Sequence, residues 1–145
     1  MLYIAADHRG FELKDDIKTF LQEKGVAFED LGNNVYAPED NYPDFGRLVA
    51  GKISQDPDKN RGILICGSGI GMAIIANRYK GVRAGSCLSP WMAEHGRQSD
   101  NINVLGLASD LTDLITAKKI VETFLNTEFT KEEKYHKRVE GIDRS

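Results

Sequence analysis

Five short apolar runs alternate with amphipathic stretches along almost the whole chain of 145 residues. Residues 2–6, 26–31, 62–66, 82–87 and 103–107 read as strands, each bounded by glycine, proline, asparagine or aspartate. The spacing between them predicts helices. One spans 11–24, with Leu13, Ile17, Phe20 and Leu21 on one face and Gly25 as its stop. A second opens at Tyr42-Pro43-Asp44, carries Phe45, Leu48, Val49 and Ile53, and stops at Asp56-Pro57-Asp58. Others cover 72–79, the stretch from Ser89-Pro90 to about Gln98, and a long segment capped by Asp110 or Thr112. A charged tail helix spans 131–142. Strands that alternate with helices make a parallel sheet covered on both faces, so the expected class is α/β with a five-stranded parallel sheet and a C-terminal tail helix.

The length suits a single domain, residues 1–145. Nineteen basic against 22 acidic residues, with no basic block before the tail, argue against nucleic acid as a partner. The two cysteines are far apart and make no disulfide framework; a free thiol beside glycines suits a reducing compartment. No stretch reads as a signal peptide or a membrane span, so the expectation is a cytoplasmic protein with no membrane partner.

In a sheet of this kind ligands collect beyond the carboxyl ends of the strands. Those ends carry Asp7-His8-Arg9-Gly10, Cys66 to Gly71, Cys87-Leu88-Ser89 and Gly106 to Asp110. Cys66 is the richest of these. It closes an apolar strand, and Gly67-Ser68-Gly69-Ile70-Gly71 turns directly into a helix, so backbone N–H groups and the helix dipole favour negative charge beside the thiol. The same donors can hold a phosphate or a developing oxyanion. A buried core cysteine is the plain alternative for Cys66, as a helix cap is for Asp7. Cys87 lacks the glycine turn and reads as core. His95 and His136 read as surface residues, and the tail run Lys134-Tyr135-His136-Lys137-Arg138 as a solvated face or a phosphate contact. Gly71 is followed by Met72, which excludes a P-loop. The Gly67-x-Gly69-x-Gly71 spacing is not the dinucleotide fingerprint.

Ala6-Asp7-His8-Arg9-Gly10-Phe11, Asn41-Tyr42-Pro43-Asp44-Phe45, Cys66-Gly67-Ser68-Gly69-Ile70-Gly71, Ala76-Asn77, Gly81-Val82-Arg83-Ala84 and Arg138-Val139 occur in that order. With them the chain resembles, over nearly its full length, the type B ribose-5-phosphate isomerases and the related galactose-6-phosphate isomerase subunits. The resemblance implies a Rossmann-like three-layer sandwich. It implies a homodimer, or a tetramer of paired dimers, whose sites draw on two subunits. It implies interconversion of aldose and ketose sugar phosphates through an enediolate, with no metal and no cofactor. Cys66 would be the base, and Ser68 with the N–H groups of Gly67, Gly69 and Gly71 would stabilise the enediolate oxygen. His8 would bind substrate near the phosphate, oriented by Asp7. Tyr42 and Asn77 would line the sugar pocket, with Asn41 beside them, and Arg138 would bind phosphate.

The chain departs from that family at the ring-opening and phosphate positions. Ser99 and Asp100 stand where the family has histidine and asparagine, and Asn41 where it has aspartate. Ala108-Ser109-Asp110 replaces a glycine-x-arginine contact, and Lys134 replaces a tail arginine. The sugar is therefore left open among ribose 5-phosphate and tetrose or hexose phosphates, since an open-chain substrate needs no ring opening. A non-catalytic sugar-phosphate-binding paralogue, or a partner subunit, is the alternative of a different class.

Overall fold

A computed structural model describes residues 1–145. Strand β1 (Leu2–Ala6) leads through a single 3-10 turn at His8–Gly10 into helix α1 (Phe11–Glu23). Then follow β2 (Phe28–Asp30), α2 (Tyr42–Gln55), β3 (Arg61–Cys66), α3 (Ile70–Ala76), β4 (Ala84–Ser86) and α4 (Pro90–Asp100). The chain ends with β5 (Val104–Ala108), α5 (Leu114–Asn126) and α6 (Glu133–Asp143). No helix is long and apolar enough to cross a membrane.

The five strands form one all-parallel sheet in the order β2-β1-β3-β5-β4. Side chains alternate across it with period two, as the pleat requires. Leu2, Ile4, Ala6, Ile63, Ile65, Leu105 and Leu107 face α1, α4 and α5, packing on Ile17, Phe20, Leu21, Ala93, Ile120 and Phe124. Ala5, Leu64, Cys66 and Val104 face α2 and α3, packing on Val49, Ile53, Met72 and Ala76. Both faces are buried, which is why the central strands are continuously apolar. This is the three-layer Rossmann-like sandwich expected of the sequence. From β1 the chain moves first to β2 on one side and then to β3 on the other, so the sheet's switch point lies between the ends of β1 and β3.

The edge strands are shorter than the sequence pattern implies. The Val26 N–H closes the end of α1 on the Leu21 carbonyl, so β2 pairs only from Phe28. The Val82 N–H bonds to the Tyr79 carbonyl and the Arg83 N–H to the Asn103 side chain, which delays β4 to Ala84. Helix α3 starts two residues early, at Ile70, because Gly69 takes the left-handed φ of 74° that turns the chain. Neither Asp110 nor Thr112 caps α5. The cap is Asp113, whose Oδ1 accepts from the Thr116 N–H at 2.8 Å. Asp110 is thereby left for another role.

Candidate active site

The ends of β1 and β3 carry the groups the sequence singles out. Cys66 is buried, and its sulfur accepts a hydrogen bond from the Gly69 N–H at 3.1 Å. Helix α3 has only seven residues, so this direct donor, rather than a long helix dipole, is the positive group that meets the sulfur. Ser68 is exposed and its Oγ accepts from the Ile70 N–H at 3.2 Å. The glycines are spatially required. A Cβ at position 69 would lie 2.5 Å from Ser86 Oγ, and one at position 71 would lie 2.8 Å from the Tyr42 ring. Tyr42 therefore packs directly on the turn, which brings the start of α2 beside Cys66. Asn41 occupies the N-cap position of α2 but makes no side-chain cap bond, so its amide is free to face a ligand.

Asp7 is buried. One of its carboxylate oxygens accepts from the Arg9 N–H at 3.0 Å and the Gly10 N–H at 3.2 Å. Burial pushes its carboxyl above the usual range, against the lowering effect of the Gly10 N–H, His8 and the Arg9 N–H. Its first job is to hold the turn that aims His8. His8 is in turn clamped by Asp40, whose Oδ1 lies 2.7 Å from Nδ1 and accepts the His8 N–H at 3.0 Å. Asp40 Oδ2 accepts from the Asn33 amide at 3.3 Å. Burial raises the Asp40 carboxyl, but the His8 side chain, the His8 N–H and Asn33 together hold it below 3.8. With Nδ1 committed, Nε2 is the ring atom left for substrate.

This constellation stands at the switch point of an open parallel sheet, where the fold places small-molecule sites. A model of the ribose/galactose isomerase family matches residues 2–142. The chain belongs to that family. A probable ribose-5-phosphate isomerase B of Mycoplasma genitalium is 44% identical over 128 residues, 88% of this chain and 84% of that one. A D-erythrulose-4-phosphate isomerase of Pectobacterium atrosepticum is 36% identical over 126 residues, 87% of this chain and 82% of the relative. The crystal structure of Mycoplasma genitalium ribose-5-phosphate isomerase B with bound ribulose 5-phosphate superposes with a TM-score of 0.95 at 41% identity. That match covers 99% of this chain and 93% of the other.

Within one copy of this ribose/galactose isomerase chain, Asp7, His8, Asn41, Tyr42, Cys66, Gly67, Ser68, Gly69 and Gly71 gather at the carboxyl edge of the sheet. The remaining sequence candidates do not join them. Helix α4 starts beyond the end of β4 and runs about 16 Å back to the start of β5, so Ser99 and Asp100 lie at the amino edge. Helix α6 is anchored at that same edge, since the Arg83 guanidinium just before β4 pairs with Asp143 at 2.9 Å. Lys134 and Arg138 on α6 are exposed and lie over the Tyr135 ring, at 5.0 and 5.1 Å from its centre. Asn77 makes a reciprocal pair of bonds with the backbone of Ala84, at 2.7 and 3.0 Å, and lines an amino-edge cavity with Asp100. In this copy its amide is occupied in holding β4.

Sequence reasoning passed over two groups that the fold brings to the site. Asp40 sits in a polar loop where nothing in the pattern distinguishes one carboxylate from its neighbours. Arg9 lies inside the Asp7-His8-Arg9-Gly10 run, where the motif alone gives it no role of its own.

Proposed function

We propose that the chain interconverts the aldose and ketose forms of a small sugar phosphate by proton transfer between C1 and C2. The observation that carries this is Cys66 at the β3 end, its sulfur bonded by the Gly69 N–H and flanked by Ser68, opposite His8 across the switch point. As thiolate, Cys66 removes the proton from the carbon next to the carbonyl and returns it to the neighbouring carbon. Charge builds on the carbonyl oxygen in the enediolate, where the glycine-turn donors and the Ser68 hydroxyl can meet it. One such donor is typically worth about 3 kcal/mol. His8, held by Asp40, is placed to exchange protons with substrate oxygens or to meet the phosphate. Ser99 supplies no imidazole for opening a sugar ring, which favours substrates that stay open, such as four-carbon sugar phosphates. The named activity of the Pectobacterium relative is in keeping with that preference.

We further propose that the working unit is a homodimer. Ser99, Asp100, Lys134 and Arg138 lie at the amino edge of their own chain and complete the site of a second copy. Exposed Ile70, Ile74, Leu88, Trp91 and Met92 offer an apolar surface beside the carboxyl edge for that contact.

The test is incubation in heavy water with ribose 5-phosphate and with tetrose 4-phosphates. Deuterium should enter C1 or C2 of the substrate, kcat/KM should be highest for a tetrose phosphate, and Cys66→Ala should abolish exchange. Tight sugar-phosphate binding without exchange would instead identify a binding paralogue. If ribose 5-phosphate proved the best substrate, the inference from Ser99 would fail.

A further inference from the structure

Arg9 and Asp110 form an ion pair at the mouth of the site. Both side chains are about half exposed, at 56% and 45%, so the pair adds little to stability. It is nevertheless held in a built setting. The Asp110 N–H donates to the Gly67 carbonyl at 3.1 Å, and the Ser109 hydroxyl donates to the Arg9 carbonyl at 2.8 Å. The ends of β1, β3 and β5 are thus tied together around this one cation. The guanidinium sits against Gly67, the residue after Cys66, and any Cβ at position 67 would run into it. Glycine is needed there to admit an arginine, and the arginine is next to the reacting centre.

We infer that Arg9 receives the anionic end of the substrate and that Asp110 is the internal competitor it leaves to do so. The inference rests on the sugar-phosphate reading above and names the residue that selects for the anion. A guanidinium presents a planar fork matched to a phosphate or sulfonate. Asp110 pairs with one arm of that fork, which keeps the cation beside Gly67 and lowers affinity for weakly charged ligands. A dianionic end outbids a single carboxylate, whereas a neutral sugar does not.

The two partners must then act with opposite signs, which a merely structural ion pair would not do. Calorimetric titration of the full chain with inorganic phosphate reads this without any turnover. Arg9→Ala should weaken phosphate roughly tenfold or more, and Arg9→Lys should weaken it less. Asp110→Asn should tighten phosphate by roughly two- to fivefold, an advantage that added salt erodes. In assays with a turned-over sugar phosphate, Arg9→Ala should raise KM more than it lowers kcat. Near-UV circular dichroism on each variant verifies the fold, and Arg9→Lys stands in if Arg9→Ala misfolds. Phosphate affinity within twofold of native in both Arg9 variants, or weaker binding in Asp110→Asn, would overturn the proposal. Loss of isomerisation on every sugar tested, with the opposite-sign phosphate effects retained, would defeat the functional reading and leave the Arg9 site standing.

Discussion

The two cysteines differ by their surroundings alone. Cys87 is buried against the α1, α4 and α5 side of the sheet, and that burial pushes its thiol up to about 11. At pH 8 that thiol is almost wholly protonated. Cys66 instead has the Gly69 N–H on its sulfur. Limited treatment with iodoacetamide at pH 8 should therefore modify Cys66 first, with loss of activity tracking that adduct by mass spectrometry. Modification of Cys87 ahead of Cys66, or a Cys66 adduct that stays active, would remove Cys66 from the reaction. At this scale the sequence was readable where one residue type is tied to one turn, as at Cys66 and its glycines. It was not readable where the choice lies among like groups. Asp110 offers the same cap chemistry as Asp113, and only the path of the loop after β5 gives the cap to Asp113 and leaves Asp110 to Arg9.

At the scale of elements, the loop between β2 and α2 is tied down by an ion cluster at its start. Lys14 on α1 is almost wholly buried. Its ammonium donates to Asp30 at 2.9 Å and to the Asn33 carbonyl at 2.6 Å, while Lys18 reaches the other Asp30 oxygen at 2.7 Å. Asn33 in turn bonds Asp40, which clamps His8. Burial raises the Asp30 carboxyl, but Lys18, Lys14 and the Gly32 N–H outweigh it and hold it below the ordinary value of 3.8. A depressed folded value means that the unfolded chain binds the proton first. The stabilisation is therefore full above 3.8 and is lost as pH falls through the folded value. Asp40 acts with the same sign. Thermal unfolding followed from pH 7 down to pH 3 should show stability dropping below about pH 4. Asp30→Ala, which strands a buried ammonium, should cost roughly 3–5 kcal/mol at pH 7 and flatten that drop. An unchanged acid limb in Asp30→Ala would show that the cluster does not hold the fold. The long helices were legible because a 3.6-residue apolar period survives any context. The edge strands were overestimated because their extra apolar residues are spent on a helix end and a turn.

At the scale of the whole molecule, the sheet's own polarity separates the candidate residues. A parallel sheet puts every strand end on one edge and every strand start on the other. Helices such as α4 and α5 return the chain from the first edge to the second. Residues at the end of α4 and on α6 therefore cannot reach Cys66 in their own chain, however suggestive their order in the sequence. Two copies related by a two-fold axis can bring the amino edge of each to the carboxyl edge of the other. Light scattering should give a dimeric mass, and Trp91→Glu, which places a charge in the exposed apolar patch, should yield monomers without activity. The sharper test mixes two defects. Cys66→Ala damages the carboxyl-edge half of a site and Arg138→Ala the amino-edge half. When the two variants are co-expressed, half of the dimers are mixed, and each mixed dimer has one site with both defects and one with neither. About a quarter of native activity should return at low substrate concentration, although each variant alone is poor. If the mixture is no more active than its parents, each site is complete within one chain, and Arg138 serves some other purpose.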